Sequence, residues 1–156
     1  LNVFFEIYRH IDFFFVPFLF SNLCVPKFRD LCLNLDFMPN QLQQIAIKWF
    51  DAFNTKNLEK LLELYDDEAQ HFSPKLKIRQ PETNGLIIGK EAMRVWWQDA
   101  FDRLPTLHYK VTSLTANTDR VFMEYTRQVE GEADMLVAEV LEIKEGKIVF
   151  SRVYHG

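Results

Sequence analysis

In QLQQIAIKWFDAFNTKN, which begins at Gln41, the apolar residues Leu42, Ile45, Ala46, Trp49, Phe50 and Phe53 recur at i, i+3, i+4, i+7, i+8 and i+11. That spacing puts all six on one face of an α-helix. Asn57 is a suitable N-cap for a second, short helix carrying Leu58, Leu61, Leu62 and Tyr65. The acidic cluster Asp66-Asp67-Glu68 that follows reads as solvated loop, because acidic residues at a helix C-terminus oppose its dipole. A short AQHF strand then leads into SPKLKIRQPETNG, whose prolines, basic residues and Asn84-Gly85 predict a loop, followed by a brief LIIG strand. Gly89 opens a third helix, in which Met93, Trp96, Trp97, Ala100, Phe101 and Leu104 form the buried stripe until Pro105 ends it.

From Thr106 the period changes to two. Strands are predicted near 106–115, 120–130, 134–144 and 147–155, separated by Asn117-Thr118-Asp119, Gly131 and Glu145-Gly146. Three helices first and a four-strand antiparallel meander last define an α+β domain, with the helices packed on one face of a curved, mainly antiparallel sheet. No internal repeat or linker interrupts residues 38–156, so one domain suffices. A chain of that length buries roughly two-thirds of its unfolded surface, enough for a core and a small cavity.

Residues 1–37 have a different character: they hold nine of the fifteen Phe, both Cys and no Gly. The apolar run Phe13–Phe20 is broken by Pro17 and bounded by Asp12 and Ser21-Asn22, short of the roughly 20 residues a spanning helix needs. Glu6, Asp12 and the lack of an A-x-A site also depart from a signal peptide. With the first Met at 38, the expectation is that 1–37 is an upstream extension and 38–156 the working domain; a genuine extension would be a membrane-surface or partner-binding segment. A cytoplasmic location follows, with secretion or membrane association only if 1–37 is native.

The net charge of −4, from 18 basic and 22 acidic residues, offers no counter-charge for a phosphate backbone and argues against nucleic-acid binding. Cys24 and Cys32 have neither metal-motif spacing nor a disulfide framework. The five glycines sit at turns or the terminus, so there is no phosphate-binding loop and no nucleotide cofactor is indicated.

Four segments, IAIKWFDAFNTKN, LEKLLELYDDEAQHFSP, GLIIGKEAMRVWWQDAFDRLP and AEVLEIKEGKIVFSRVYHG, together resemble the nuclear transport factor 2-like, or SnoaL-like, superfamily of α+β cones, over 41–156. The resemblance is strongest to bacterial SnoaL-like proteins with an FSP…GKEA pattern and no assigned reaction. It implies a cone that binds a small, largely apolar ligand, without a cofactor. In the related ketosteroid isomerase, an Asp base works with a Tyr and a protonated Asp as oxyanion hole. The matching positions here are Ser73 before Pro74 for the base, Phe50 for the tyrosine and Glu139 for the second acid. Two of three roles are lost, which argues against ketosteroid isomerisation by that route.

Met135, Val137, Glu139, Leu141 and Ile143 share one strand face by alternation, and only Glu139 is polar. A carboxylate there is either protonated, as a general acid/base or ligand anchor, or paired with a cation. Val121, Met123, Tyr125 and Arg127 share a face that the resemblance points inward, so Arg127 would either pair with Glu139 or hold a ligand carboxylate at the cone mouth. The same comparison turns Val149, Ser151, Val153 and His155 inward. His155 and His71 are candidate acid/base groups, and Ser73 lies beside His71. No spacing requires a metal site. Trp49, Phe50, Phe53, Trp96 and Tyr125 would wall a pocket for an apolar or aromatic molecule, unless they simply fill the core. The outer sheet face, with Phe122, Val140 and Phe150 among Thr126, Glu142 and Arg152, predicts a homodimer. Two functions follow: acid/base catalysis of isomerase, cyclase or dehydratase type through Glu139 with His71 or His155, or a non-catalytic binding or dimerisation module with a filled core.

Overall fold

The computed structural model describes residues 41–156; the extension expected at 1–37 lies outside the described residues. The chain runs α1 (Gln41–Asn54), α2 (Leu58–Glu63), β1 (Tyr65–Phe72), α3 (Pro74–Arg79), a 3-10 turn (Pro81–Thr83), β2 (Leu86–Ile88), α4 (Lys90–Arg103), β3 (His108–Ala116), β4 (Arg120–Gln128), β5 (Met135–Lys144) and β6 (Lys147–His155). The sheet order is β2-β1-β6-β5-β4-β3; β1 and β6 are parallel and every other pair is antiparallel. This is the expected α+β architecture, with the helices over a curved sheet.

The α1 stripe behaves as its period predicts. Ala46, Trp49, Phe50, Ala52 and Phe53 are buried, and the amide of Asn54 brackets the start of β3: its Nδ2 donates to Tyr109 O at 3.0 Å and its Oδ1 accepts from Tyr109 N at 2.8 Å. Lys56 Nζ adds a bond to Leu107 O at 3.0 Å, so the end of α1 fixes where Tyr109 enters the core. Asn57 caps α2 by accepting from Lys60 N at 3.0 Å. In α4, Met93, Trp96, Trp97 and Phe101 are buried, and Gly89 at φ 84° supplies the backbone that its N-terminus requires.

Three local expectations are corrected. Tyr65, expected on α2, is the first residue of β1, and Asp66, Asp67 and Glu68 lie within that strand rather than in a loop. Their exposed side chains look turn-like in sequence, but Tyr65 is held beside Ile148 of β6, and the register between 65 and 70 is irregular. The segment expected to be loop at 74–79 is helical: Pro74 occupies the first turn, where a missing N–H costs nothing, Leu76 is completely buried, and Lys77 and Arg79 stand at the C-terminal end where cations are favoured. The described residues thus hold four α-helices, the added one being this short segment. On β6, strict alternation fails at Val149, where a bulge moves Ile148, and not Val149, into the core.

No helix among the described residues is long and apolar enough to cross a membrane.

Candidate functional site

Strand register stacks the inward side chains in layers between the helices and the sheet. Leu141, Ser151 and His71 are cross-strand neighbours on β5, β6 and β1. The next layer is Met123, Glu139 and Val153, then Tyr125, Val137 and His155, and last Arg127 with Met135 beside the β4–β5 turn. These layers and the faces of α1, α3 and α4 enclose a cavity of about 310 Å³. Of the residues expected at the site, Glu139, His71, His155, Ser73, Trp96, Tyr125 and Arg127 all line it. Phe50 does not. Its ring stands edge-on behind Tyr125, with centroids 5.3 Å apart, because the α1 stripe is wide enough for Trp49 and Phe53 to meet the cavity while Phe50 packs away from it.

Glu139 is 1% exposed. Its Oε2 accepts a hydrogen bond from Tyr125 Oη at 2.9 Å, while its Oε1 is the one buried side-chain polar atom without a partner among the described residues. Burial pushes its pKa up to about 8, opposed by the Tyr125 bond, so the carboxyl is protonated at neutral pH. The expected alternative of an Arg127–Glu139 ion pair is not formed. Arg127 pairs instead with Glu132, Nη1 to Oε2 at 2.7 Å, around the β4–β5 turn. The reason is register: Arg127 is opposite Met135, four residues along β5 from Glu139, or roughly 13 Å of strand.

A second polar network, which no local pattern announces, joins α1, β1 and β6. Trp49 Nε1 donates to Tyr65 Oη at 2.9 Å, Tyr65 Oη donates to Ser151 Oγ at 3.3 Å, and Ser151 Oγ lies 2.7 Å from His71 Nδ1. Each hydroxyl has one proton, so this chain is satisfied throughout when Ser151 donates to Nδ1, which leaves the imidazole proton on Nε2. Burial lowers the His71 pKa to about 4, so the ring is neutral. Glu139 and His71 therefore both present neutral donors to the cavity at pH 7. Burial, then the charges of Lys75 and Arg127, also lower the pKa of His155. No hydrogen bond joins Glu139 to either histidine. His155 is the diagonal cross-strand neighbour of Glu139, a relation that sets the two residues roughly 7–8 Å apart, within reach of their long side chains.

Tyr109 completes the wall: its ring is 4.6 Å from Tyr125 and stacks at 5.9 Å on Trp49. Ser151 stands out in the sequence as a small polar residue between Val149 and Val153 of β6, whereas the helical spacing of Tyr65 and the alternation of Tyr109 carry no signal of a place in this site. Among the described residues, no group of three His, Cys, Asp or Glu side chains gathers as a metal site.

A curved sheet roofed by helices around a ligand-sized cavity defines a nuclear transport factor 2-like cone. The chain belongs to the SnoaL-like domain family, whose model matches residues 46–151. Among solved structures it is similar to a SnoaL-like protein of unknown function from Burkholderia thailandensis, at 26% identity over 74% of this chain and 94% of that one, with a TM-score of 0.68. A Kribbella flavida protein provisionally described as a ketosteroid isomerase matches at 19% identity, 74% and 78% coverage and TM-score 0.62. A Sinorhizobium meliloti protein provisionally described as a polyketide cyclase matches at 15% identity, 74% and 100% coverage and TM-score 0.61; at such identities the last two show the fold alone. No curated protein matches the chain.

Proposed function

We propose that the cone binds a small, largely apolar carbonyl compound and promotes proton transfer beside that carbonyl, without a cofactor. The observation that carries this is the protonated Glu139 with an unpartnered Oε1 on the cavity wall. A neutral carboxylic acid in an aromatic cavity supplies a hydrogen bond to a carbonyl oxygen where water does not compete. As charge develops on that oxygen, Glu139 passes its proton to it. His155, neutral at pH 7, accepts the proton from the adjacent carbon, giving an enol, a histidinium and a carboxylate; the reverse transfers complete an isomerisation or exchange. His71 acts as a donor rather than a base, because its acceptor nitrogen is engaged by Ser151.

1-Tetralone is a suitable probe, with binding followed by tryptophan fluorescence. Glu139→Leu, which removes the donor and leaves an apolar isostere, should weaken binding by about tenfold, while Glu139→Gln, which keeps a donor, should stay within about threefold. NMR in D₂O should show faster deuterium uptake beside the carbonyl than in buffer, lost in His155→Ala. Binding without exchange would leave a non-catalytic module, and no binding at all would overturn the carbonyl-binding reading.

A second reading concerns assembly. Phe122, Leu136 and Tyr154 are exposed on the outer sheet face, at 39, 69 and 49%. Arg152 lies 4.2 Å over the Phe150 ring and bonds Glu142 at 2.6 Å, covering one end of the face, while Phe122, Leu136 and Tyr154 stay uncovered beside Glu124 and Thr126. A second copy would cover it in a homodimer. Leu136→Glu should halve the mass seen by sedimentation equilibrium while leaving the far-UV spectrum intact; a monomeric parent protein would remove this reading.

A further inference from the structure

The mouth of the cavity is basic, and its charges are unequally matched. Lys75, Arg79, Arg103 and Arg127 all line it. Arg79 and Arg103 are answered by Asp99, at 3.8 and 2.8 Å. Arg127 is 6% exposed and spends one Nη1 bond on Glu132, whose own side chain is 48% exposed. Lys75, in the first turn of α3, makes no hydrogen bond or ion pair among the described residues. Burial, then Arg127, lowers its pKa, with Glu132 opposing and Arg103 adding to the effect. His155 lines the same cavity as Lys75 and Arg127, and its layer with Tyr125 and Val137 adjoins the Arg127–Met135 layer; burial, then the charges of Lys75 and Arg127, lower its pKa. Cations held this close without an equal number of carboxylates are relieved by an anion bound among them.

We propose that Lys75 and Arg127 form a carboxylate subsite, and that the ligand is an apolar oxo acid lying lengthwise in the cone. This rests on the carbonyl-binding reading given above. The carboxylate sits at the Arg127–Met135 layer, the apolar body beside Tyr125 and Val137, and the carbonyl at the Met123–Glu139 layer. Arg127 is suited to a planar carboxylate because Glu132 occupies one edge of the guanidinium and its other N–H groups are not sealed in: none of them is a buried atom lacking a partner. Neutral Glu139 at the far end puts no like charge in the ligand's way. A carboxylate entering the mouth also strengthens the charge on Lys75, so anion binding and lysine protonation support each other.

The full chain is titrated by tryptophan fluorescence, since Trp49, Trp96 and Trp97 all line the cavity, with 9-oxo-9-phenylnonanoate, whose extended chain approaches the roughly 13 Å between the two layers, and with its primary amide. The acid should bind about tenfold more tightly than the amide at low salt, with the gap narrowing in 1 M NaCl. In Lys75→Met and Lys75→Gln, each shown to be folded by circular dichroism, the ratio of acid to amide affinity should fall to within about twofold. Equal affinity of acid and amide in the parent chain, or a preference that survives both substitutions, would overturn the carboxylate subsite and leave the carbonyl-binding cavity standing. Failure of both compounds to bind the folded protein would overturn the two readings together.

Discussion

Raising the pH from 6.5 to 8 is expected to destabilise the folded domain by about 2 kcal/mol, and Glu139→Gln to remove that loss. Glu139 has an ordinary pKa of 4.5 and a folded value of about 8, so between those limits the folded state holds a proton that the unfolded chain releases. Its contribution is complete below pH 4.5 and drains away as pH rises towards 8, at about 1.4 kcal/mol per unit. His71 works in the opposite sense. Its pKa falls from 6.5 to about 4, so its contribution is complete above 6.5 and is lost as pH falls through 4. From 4.5 to 6.5 these two slopes cancel, and above 6.5 the Glu139 slope has no His71 slope against it.

Urea midpoints at pH 5, 6.5 and 8 test this. The parent chain should gain over the first interval only what His155 adds, since the Glu139 and His71 slopes cancel there, and fall over the second. Glu139→Gln should rise more steeply than the parent over the first interval, where His71 acts without Glu139 against it, and lack the fall over the second. Lys75 and His155 titrate equally in both proteins, so the difference between them isolates Glu139. A parent chain as stable at pH 8 as at 6.5 would mean that Glu139 is ionised in the fold, and the donor role proposed for it would fall as well.

The sequence made parts of this site legible because they obey local periods. Alternation alone singled out Glu139 as the polar residue on an apolar face of β5, and helical spacing found Trp49 and Phe53 on α1. Turn residues bounded the meander strands to within two residues at each end. What local pattern could not supply was pairing. Arg127 was matched by strand alternation to Glu139, yet its partner came from the connecting turn, where alternation has no meaning. Lys75 was hidden inside a proline-bearing basic segment that reads as loop, and its place at the cavity depends on the single buried contact of Leu76 that anchors α3. The Tyr65–Ser151 bond joins residues 86 positions apart, across a parallel strand pair that no hairpin announces. Phe50 shows the complementary limit. A helical stripe reports that a residue is buried, but not whether it meets a cavity or the packing behind it.

Trp49→Ala is expected to cost about 3–5 kcal/mol, and Trp49→Phe distinctly less. Trp49 is 1% exposed, with ring centroids 4.3 Å from Phe53, 5.1 Å from Phe50 and 6.1 Å from Tyr125, so it ties α1 to the cone wall. Its indole also heads the hydrogen-bond chain to His71, and without it Tyr65 Oη loses its donor while staying buried. Because Trp49 itself lines the cavity, the space vacated by alanine joins a void that already exists. The helix cannot collapse into it without dragging Asn54 off the backbone of Tyr109. Relaxation is therefore poor, and the penalty should fall at the upper part of the range for large-to-small substitutions. Trp96 provides the control. It lines the same cavity, but no hydrogen bond ties its indole to another described residue, so Trp96→Ala should cost clearly less in the same urea experiment. Equal losses at the two positions would mean that aromatic bulk alone supports the cone, and that the Trp49–Tyr65–Ser151–His71 chain adds nothing to its stability.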